Sequence, residues 1–395
     1  MAGIYDVIVI GGGPAGSYTA GQLAGAGHAV MVLEQQDSAG QKKCCTGIVG
    51  RDCLAQFPLI TEEVIIRRAN SARLFSPAGK VVRVWRKEPQ AYILDRPALD
   101  RLLADRAAAQ GAEYIFGGKA ETITIHHDRV DVAVSRWGDT LHLEAKAVVL
   151  AAGFGSPLAR QLGLGRIPDF AMGAQAEVET RELEETEVYC GRETAPGFFG
   201  WLVPTLPGRA RVGVISRREP RICLTRLMSA LMARGKIVPD EVEIHFGGIP
   251  LKALPRTCGD RLLVVGDAAG QVKPTSGGGI YYGLLCAGMA ADVLHQGLAM
   301  GDVSARTLAA YERRWRQKLG RELRIDYYAR RLYERLSDRQ LERLFHALDS
   351  RGIAEALGKA PDLSFDWHSR VLLRMMRLMA RRIVTGGIGR MKASP

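Results

Sequence analysis

Residues 4–34 read IYDVIVIGGGPAGSYTAGQLAGAGHAVMVLE, and the order of residue types in this stretch decides the fold. Tyr5 to Ile10 is a short, mostly β-branched apolar run, the pattern of a buried parallel strand. Gly11, Gly13 and Gly16 follow at G-x-G-x-x-G spacing. A small-residue helix is predicted from Pro14 to Ala26, then a second apolar strand from Ala29 to Leu33, closed by Glu34. Gly11 lets the chain turn out of the strand, Gly13 clears room for a pyrophosphate, and Gly16 lets the helix pack on the sheet. The helix N-terminus offers unpaired N–H groups and its dipole to the phosphates. Glu34 is placed to accept from an adenosine ribose. A lone glycine pattern also fits a structural turn. Strand, glycines, helix, strand and terminal acid in this order point to a bound dinucleotide.

A second segment of the same kind lies far downstream. Arg261 to Val265 reads as a parallel-type strand ending in Gly266 and Asp267, and Gly277, Gly278 and Gly279 precede a helix predicted from Ile280 to about His295. Asp267 at a strand end suits a ribitol or ribose hydroxyl. Between them, Ala147 to Leu150 is a buried strand running into Ala151, Ala152 and Gly153, another close approach of backbone to ligand. Two separated nucleotide-contacting segments suit a dinucleotide as long as FAD.

The remaining chain supplies a second domain. Strands alternate loosely over Val64 to Trp85 with a turn at Ser76 to Lys80, and Asp95 is an N-cap candidate for a helix with Pro97 near its start. Arg96 stands at that junction, facing either a cofactor phosphate or a surface acid. From Ile167 the pattern is antiparallel: strands at Ala171–Thr180, Glu184–Cys190, Phe198–Pro204, Arg211–Ser216 and Glu241–Phe246, with a helix at Ile222–Arg234. Phe198, Phe199 and Trp201 are either its core or the wall of an apolar pocket. Residues 304–382 read as helical, ending in an amphipathic stretch with Trp367, Val371, Leu372, Met375, Met376 and Met379 beside Arg370, Arg374, Arg377, Arg381 and Arg382.

Composition narrows the class. The chain has 395 residues, enough for two domains. Seven cysteines, an odd number partly in regular elements, favour a reducing compartment over a disulfide framework. Cys44 and Cys45 are adjacent and lack zinc-ligand spacing, so no metal is expected. The neighbouring Lys42 and Lys43 would favour a thiolate, which makes the loop either reactive or simply structural. His126, His127 and His142 lie among alternating strands and read as structural or exposed. No basic leader precedes the first strand, and no uninterrupted apolar run is long enough to span a bilayer. The net charge of +12 is concentrated at the end: from Gly301 to Pro395, Lys and Arg outnumber Asp and Glu by 21 to 11. That excess fits an anionic partner such as a membrane surface, or a solvated helical face.

Together GGGPAG at Gly11–Gly16, Glu34, Arg96, and GDAAG at Gly266–Gly270 with Pro274 and Gly277–Gly279 resemble the flavoprotein fold of the aromatic hydroxylases. Within that fold the chain resembles the geranylgeranyl reductases, which saturate the isoprenoid tails of archaeal phospholipids or of chlorophyll. Two features carry the narrower likeness: the cysteine–glycine loop, here Cys45-Thr46-Gly47, and the stretch P-x-x-Y-x-W-x-F-P, here Pro196 to Pro204 with Phe199, Trp201 and Val203. Phe199 replaces the family's tyrosine, Val203 its phenylalanine, and Thr46 a frequent glycine; the first two swaps keep an apolar wall.

The resemblance implies an α/β fold: a Rossmann-like FAD domain over 1–166 and 248–300, with strands within 64–93 open to joining the second domain instead, an antiparallel-sheet substrate domain over 167–247, and a basic helical region over 301–395. It implies FAD held by Gly11, Gly13, Ala15, Gly16, Glu34, Gln35, Arg96, Ala152, Gly153, Gly266, Asp267, Pro274, Gly277, Gly278, Gly279 and Ile280. It implies an isoprenoid chain bound by Cys45, Gly47, Phe198, Phe199, Trp201, Val203 and Pro204, with Cys45 catalytic. The electron donor would be NAD(P)H or ferredoxin. The expected place is the cytoplasm, in peripheral contact with the inner face of a membrane, with no nucleic-acid partner and an open oligomeric state. The same fold leaves room for a flavin monooxygenase or halogenase, a redox-neutral isoprenoid cyclase, or a non-enzymatic membrane flavoprotein.

Overall fold

The structure is a computed structural model and describes residues 4–41, 44–350, 355 and 364–374. Lys42 and Lys43, the end of the expected amphipathic stretch from Met375 through Arg382, and the tail from Thr385 lie outside the described residues. The chain divides into two compact units: Met1–Gly47, Asp95–Ala171 and Gly247–Arg324 form the first, and Ile48–Leu94, Met172–Phe246 and Ile325–Pro395 the second.

The first unit is built on parallel strands in the order Leu262–Val264, Asp139–Leu150, Tyr5–Ile10, Val30–Glu34 and Glu113–Phe116. Val7, Ile8, Val9, Val30, Val32, Val148 and Val149 are at most 1% exposed, which explains why these strands read as continuous apolar runs. Each such side chain contributes about 1.5–3 kcal/mol on burial. Antiparallel strands Lys119–Ile125 and Val130–Arg136 extend the sheet from Asp139–Leu150. Helix Pro14–Gly25 packs on helices Arg96–Ala109 and Ile280–Ala299. Small residues permit this: a Cβ on Gly21 would stand 3.3 Å from the Ala107 Cα, and one on Gly288 would stand 3.6 Å from the Tyr18 ring.

In the second unit strands run in the order Phe170–Glu179, Arg209–Ser216, Phe199–Pro204, Thr186–Cys190, Ser71–Phe75 and Val81–Trp85. All pairs are antiparallel except Ser71–Phe75 with Thr186–Cys190, which is parallel. A three-stranded sheet of Ile48–Gly50, Ala91–Leu94 and Ile65–Ala69 completes the unit's strands. Asp366, fully buried, accepts from the Gly50 N–H at 3.0 Å and the Cys53 N–H at 3.1 Å, and so caps helix Arg51–Gln56 from more than 300 residues away.

The units cut the chain differently from the expected domains. Residues 48–94 fall in the second unit, which takes the strands within 64–93 to the domain left open for them, because Ser71–Phe75 joins its sheet. Residues 301–324 fall in the first unit because the helix Ala305–Arg335 is bonded into it. There the Tyr311 hydroxyl donates to the Val264 carbonyl at 2.8 Å and accepts from Gln271 at 2.7 Å, and Trp315 Nε1 donates to Thr257 Oγ1 at 2.9 Å.

One element boundary also moved. The strand expected at Glu241–Phe246 runs from His245 to Pro250, past the acidic Asp240-Glu241-Val242-Glu243 stretch. The region read as helical over 304–382 holds one helix ending at Arg335 and another starting at Asp338. Ser337 and Gln340 form a reciprocal capping box there: the Ser337 N–H donates to Gln340 Oε1 at 2.9 Å, and the Gln340 N–H to Ser337 Oγ at 3.4 Å.

Candidate functional site

Strands Tyr5–Ile10, Asp139–Leu150 and Leu262–Val264 end level, with Ile10 beside Leu150 and Leu150 beside Val264. The glycine-bearing turns therefore leave the sheet together at its carboxyl edge, where open parallel sheets bind ligands. Gly11 sits at φ 104° with its N–H donating to the Leu33 carbonyl at 2.8 Å, and a Cβ there would lie 2.4 Å from the Ala151 carbonyl oxygen. A Cβ on Gly16 would lie 1.9 Å from the Gly11 carbonyl oxygen. Gly13 is the opposite case: a Cβ would meet nothing within 4 Å. It is the N-cap of helix Pro14–Gly25 and has no side-chain cap, so the first-turn N–H groups face that open space. The turn is braced from behind by Tyr114, whose hydroxyl donates to Ser17 Oγ at 3.0 Å, and by Ser17, which donates to the Gly12 carbonyl at 2.9 Å.

The Glu34 carboxylate accepts from the Gly12 N–H at 2.7 Å and the Gln36 N–H at 2.9 Å. Those bonds fix its orientation, and each oxygen retains a lone pair for a ribose hydroxyl. Gln35 follows on the exposed side. Gly153 also faces open space next to Ala152, while Gly266 meets Ala15 of the first helix, their Cβ positions 3.1 Å apart. Asp267 Oδ1 stands 2.6 Å from the place a Cβ on Gly279 would take, so any other residue there would have to displace the carboxylate. Pro274 is buried under this turn, and Gly277 and Gly278 lead into Ile280, the first residue of its helix.

A third loop joins this region in the first unit. A Cβ on Gly40 would stand 2.5 Å from the Pro97 carbonyl oxygen, which presses the 35–47 loop onto the start of helix Arg96–Ala109. Asp95 caps that helix by accepting from the Ala98 N–H at 3.0 Å. Arg96, 6% exposed, donates through Nη2 to Asp100 Oδ1 at 2.7 Å and through Nη1 to Cys45 Sγ at 3.3 Å. Burial alone would lower the Arg96 pKa; Asp100 and the Cys45 sulfur more than offset it, so the guanidinium is held firmly charged. Its buried Nε has no hydrogen-bond partner. Gly47, at the end of the loop, is buried.

The aromatic stretch lies in the second unit, on strand Phe199–Pro204. Gly200 faces helix Pro220–Ala233, its Cβ position 2.6 Å from Leu227 Cδ2, so the period of two turns Phe199 and Trp201 to the other side. Both are partly exposed, with ring centroids 6.0 Å apart. Gly213 lets the indole lie flat across strand Arg209–Ser216, since a Cβ there would stand 2.2 Å from Trp201 Cζ2. The Trp201 Nε1–H is buried without a hydrogen-bond partner. Val203 and Pro204 are buried, and Phe198, 2% exposed, lies 3.4 Å beneath the Arg330 guanidinium while its carbonyl accepts from the Tyr333 hydroxyl at 3.1 Å.

Several residues of the first unit were missed. A Cβ on Gly247 would stand 3.3 Å from Cys44 Sγ, and one on Gly248 would stand 1.9 Å from the Phe154 ring. Phe154 in turn packs against Phe170, centroids 5.2 Å apart. The signal was present as a double glycine inside a strand. Ser276 Oγ, between Pro274 and Gly277, is buried without a hydrogen-bond partner. That orphaned atom, the open sides of Gly13 and Gly153, and the uncapped helix start are what an FAD would fill, so the residues present fit it. Among the described residues no group of three His, Cys, Asp or Glu is placed to hold a metal, and no helix is long and apolar enough to cross a membrane.

A sequence model of the pyridine nucleotide-disulphide oxidoreductase family matches residues 5–187. The digeranylgeranylglycerophospholipid reductase of Methanocaldococcus jannaschii is 32% identical over 371 residues, covering 91% of this chain and 92% of that protein. Digeranylgeranylglycerophospholipid reductase 2 of Methanothermobacter thermautotrophicus is 34% identical over 364 residues, 89% of this chain and 93% of its own. A geranylgeranyl bacteriochlorophyll reductase-like protein of Thermoplasma acidophilum shares the fold, with a TM-score of 0.83 at 23% identity over 95% of this chain and 96% of that one. The fold is also that of a p-nitrophenol 4-monooxygenase of Pseudomonas putida, with a TM-score of 0.70 at 19% identity over 91% and 97% of the two chains.

Proposed function

Because the chain belongs to the geranylgeranyl reductase family of flavoproteins, we propose that it is an FAD-dependent reductase that saturates C=C bonds in the geranylgeranyl chains of a lipid. The observation that carries this reading is the near full-length match to relatives named for that reaction. The FAD pyrophosphate would lie at Gly13 and the first turn of helix Pro14–Gly25, its adenosine ribose at Glu34, and its ribityl chain and ring at Asp267 and Gly277–Gly279. When bound and reduced, FAD supplies a hydride equivalent to one alkene carbon.

The protein must supply the rest. An isolated alkene is a poor hydride acceptor, so a proton has to reach the other carbon as the hydride arrives. The Cys45 thiol is the candidate donor, held in place by Arg96 Nη1 at 3.3 Å while Asp100 fixes the guanidinium. Arg96 stays charged, so it keeps the sulfur in one position without competing for the proton. Phe199 and Trp201 offer a half-buried aromatic face for the isoprenoid chain. The electrons would come from NAD(P)H or ferredoxin.

The same reading puts the protein in the cytoplasm, in peripheral contact with the inner face of a membrane. Tyr328 and Leu332, 65% and 64% exposed on an arginine-rich helix, are in keeping with such contact. Flotation with anionic vesicles tests that contact.

Product masses test the reaction. With reductant and digeranylgeranylglycerophospholipid under anaerobic conditions, the lipid should gain two hydrogens per double bond. An oxygenated or halogenated product that appears only in air would assign the protein to oxygen chemistry instead, and an isomer of unchanged mass to cyclisation.

A further inference from the structure

Resting on the FAD reading, we propose that Trp137 is a stacking platform for the adenine of the bound cofactor, presented on a hairpin tip beside the loop that begins at Glu34. Trp137 and Gly138 form the two-residue turn between strands Val130–Arg136 and Asp139–Leu150, whose ends pair Arg136 with Asp139. Both turn residues have positive φ, 50° for Trp137 and 94° for Gly138. Hairpin turns of this kind favour Asn-Gly or Asp-Gly, and a bulky ring in the first place is strained. The ring gains little burial in return, since Trp137 is 76% exposed. A side chain that strains its own turn and adds nothing to the core calls for a contact outside the fold.

The hairpin tip is fixed in place. Arg136 Nε donates to the Phe116 carbonyl at 3.0 Å, and the same guanidinium lies 4.2 Å over the indole, so one face of the ring is braced by a cation. The residues after Phe116 are bonded to the loop of the ribose acid. The Gly117 N–H donates to the Gln36 carbonyl at 2.9 Å and the Gly118 N–H to the Glu34 carbonyl at 3.0 Å. A Cβ on Gly117 would stand 3.0 Å from Trp137 Nε1 and 3.2 Å from Asp37 Oδ1, so the indole reaches over the backbone that joins the two loops. The chemistry of the cofactor directs the base to the same side. In adenosine the pyrophosphate leaves the ribose at the 5′ carbon and the base at the 1′ carbon, at opposite ends of the sugar. With the pyrophosphate at Gly13 and the hydroxyls at Glu34, the base lies past Glu34, away from helix Pro14–Gly25 and toward residues 35–37 and 116–118. That is where the indole stands.

Two variants separate the ring from the turn. Trp137→Phe keeps an aromatic face and the same backbone strain. Trp137→Asn removes the face and gives the turn a residue it prefers, so the chain should fold. The Kd for FAD, read from flavin fluorescence released on dilution of the holoprotein, should rise at least about fivefold in Trp137→Asn and less than about twofold in Trp137→Phe. A merely structural role predicts the opposite order, because asparagine relaxes the turn. Equal FAD affinity in wild type and Trp137→Asn would overturn the proposal, as would a loss in Trp137→Phe equal to that in Trp137→Asn. Wild-type holoprotein gives an independent answer. Trp137 is more exposed than Trp85, which is 52% exposed, so hydroxyl-radical labelling read by peptide mass oxidises Trp137 faster if its ring is bare. A stacked adenine should reverse that order, and faster labelling of Trp137 in flavin-loaded protein would overturn the platform. Wild type that binds no FAD would overturn the flavin reading itself.

Discussion

The turn at Gly11–Gly16 and the strand Phe199–Pro204 are both short motifs, yet they are held in place by different things. In the turn, residue identity is dictated by backbone distances: a Cβ on Gly16 would sit 1.9 Å from a carbonyl oxygen, and no relaxation of a flexible side chain relieves that. In the strand, identity is dictated by which face each residue takes. Phe198 is buried under Arg330, whereas Phe199 and Trp201 keep a half-open face. The lesson is that Gly11 and Gly16 of the first motif tolerate no side chain, while the second motif tolerates any substitution that preserves an apolar face, as Phe199 and Val203 themselves illustrate.

That contrast sets the expected order of effects. Gly16→Ala should be the most damaging change, weakening FAD binding about a hundredfold or more because the added methyl must move the Gly11 carbonyl; flavin absorbance of the purified protein checks it. Retention of full flavin would break the claim that backbone distance rules this turn. Cys45→Ala should keep its flavin and lose turnover by roughly 10²–10⁴-fold, the range for a positioned acid; unchanged turnover removes the thiol from the mechanism. Trp201→Ala should keep both flavin and kcat within a few-fold while KM for the lipid rises about tenfold or more, from lost apolar contact. A rise in KM as large from Val203→Ala would show that the half-open face is not what selects the chain.

The smallest effect concerns the second unit's frame. Glu185 accepts from Arg73 Nε at 2.6 Å and Arg83 Nε at 2.7 Å and thereby ties two strands together. Burial alone would raise its pKa, but the hydrogen bonds from Arg83, Ser71 and Arg73 bring it down to about 2. The folded value lies below the unfolded one of about 4.3. Its stabilisation is therefore fully present above that unfolded value and is lost as the pH falls toward 2. Glu185→Gln should lower Tm by a few degrees at neutral pH. The gap from wild type should close on acidification, and a gap independent of pH would contradict the assignment.

Much of the first unit was legible because local pattern and tertiary role coincide. Tyr5–Ile10 is an apolar strand in the sequence and in the fold, and Gly11, Gly13 and Gly16 have separate geometric reasons that spacing alone announces. Asp95 declared itself as a cap and is one. What escaped the sequence is non-local. Nothing near Arg96 announces that Gly40 presses a distant loop against Pro97 and so brings Cys45 to the guanidinium. Nothing in Ser71–Phe75 announces a parallel partner more than 100 residues later, which decides that the strands within 64–93 belong with the second unit. The restart of the helix at Asp338 is signalled by the Ser337–Gln340 pair at capping-box spacing.

The central claim is that reduced flavin in this protein passes its electrons to a lipid alkene. Anaerobic stopped-flow absorbance of pre-reduced protein mixed with digeranylgeranylglycerophospholipid tests it most directly. The account predicts flavin reoxidation that depends on the lipid and needs no oxygen, with one flavin oxidised per double bond saturated. Flavin that stays reduced in the presence of the lipid until oxygen is admitted would contradict it.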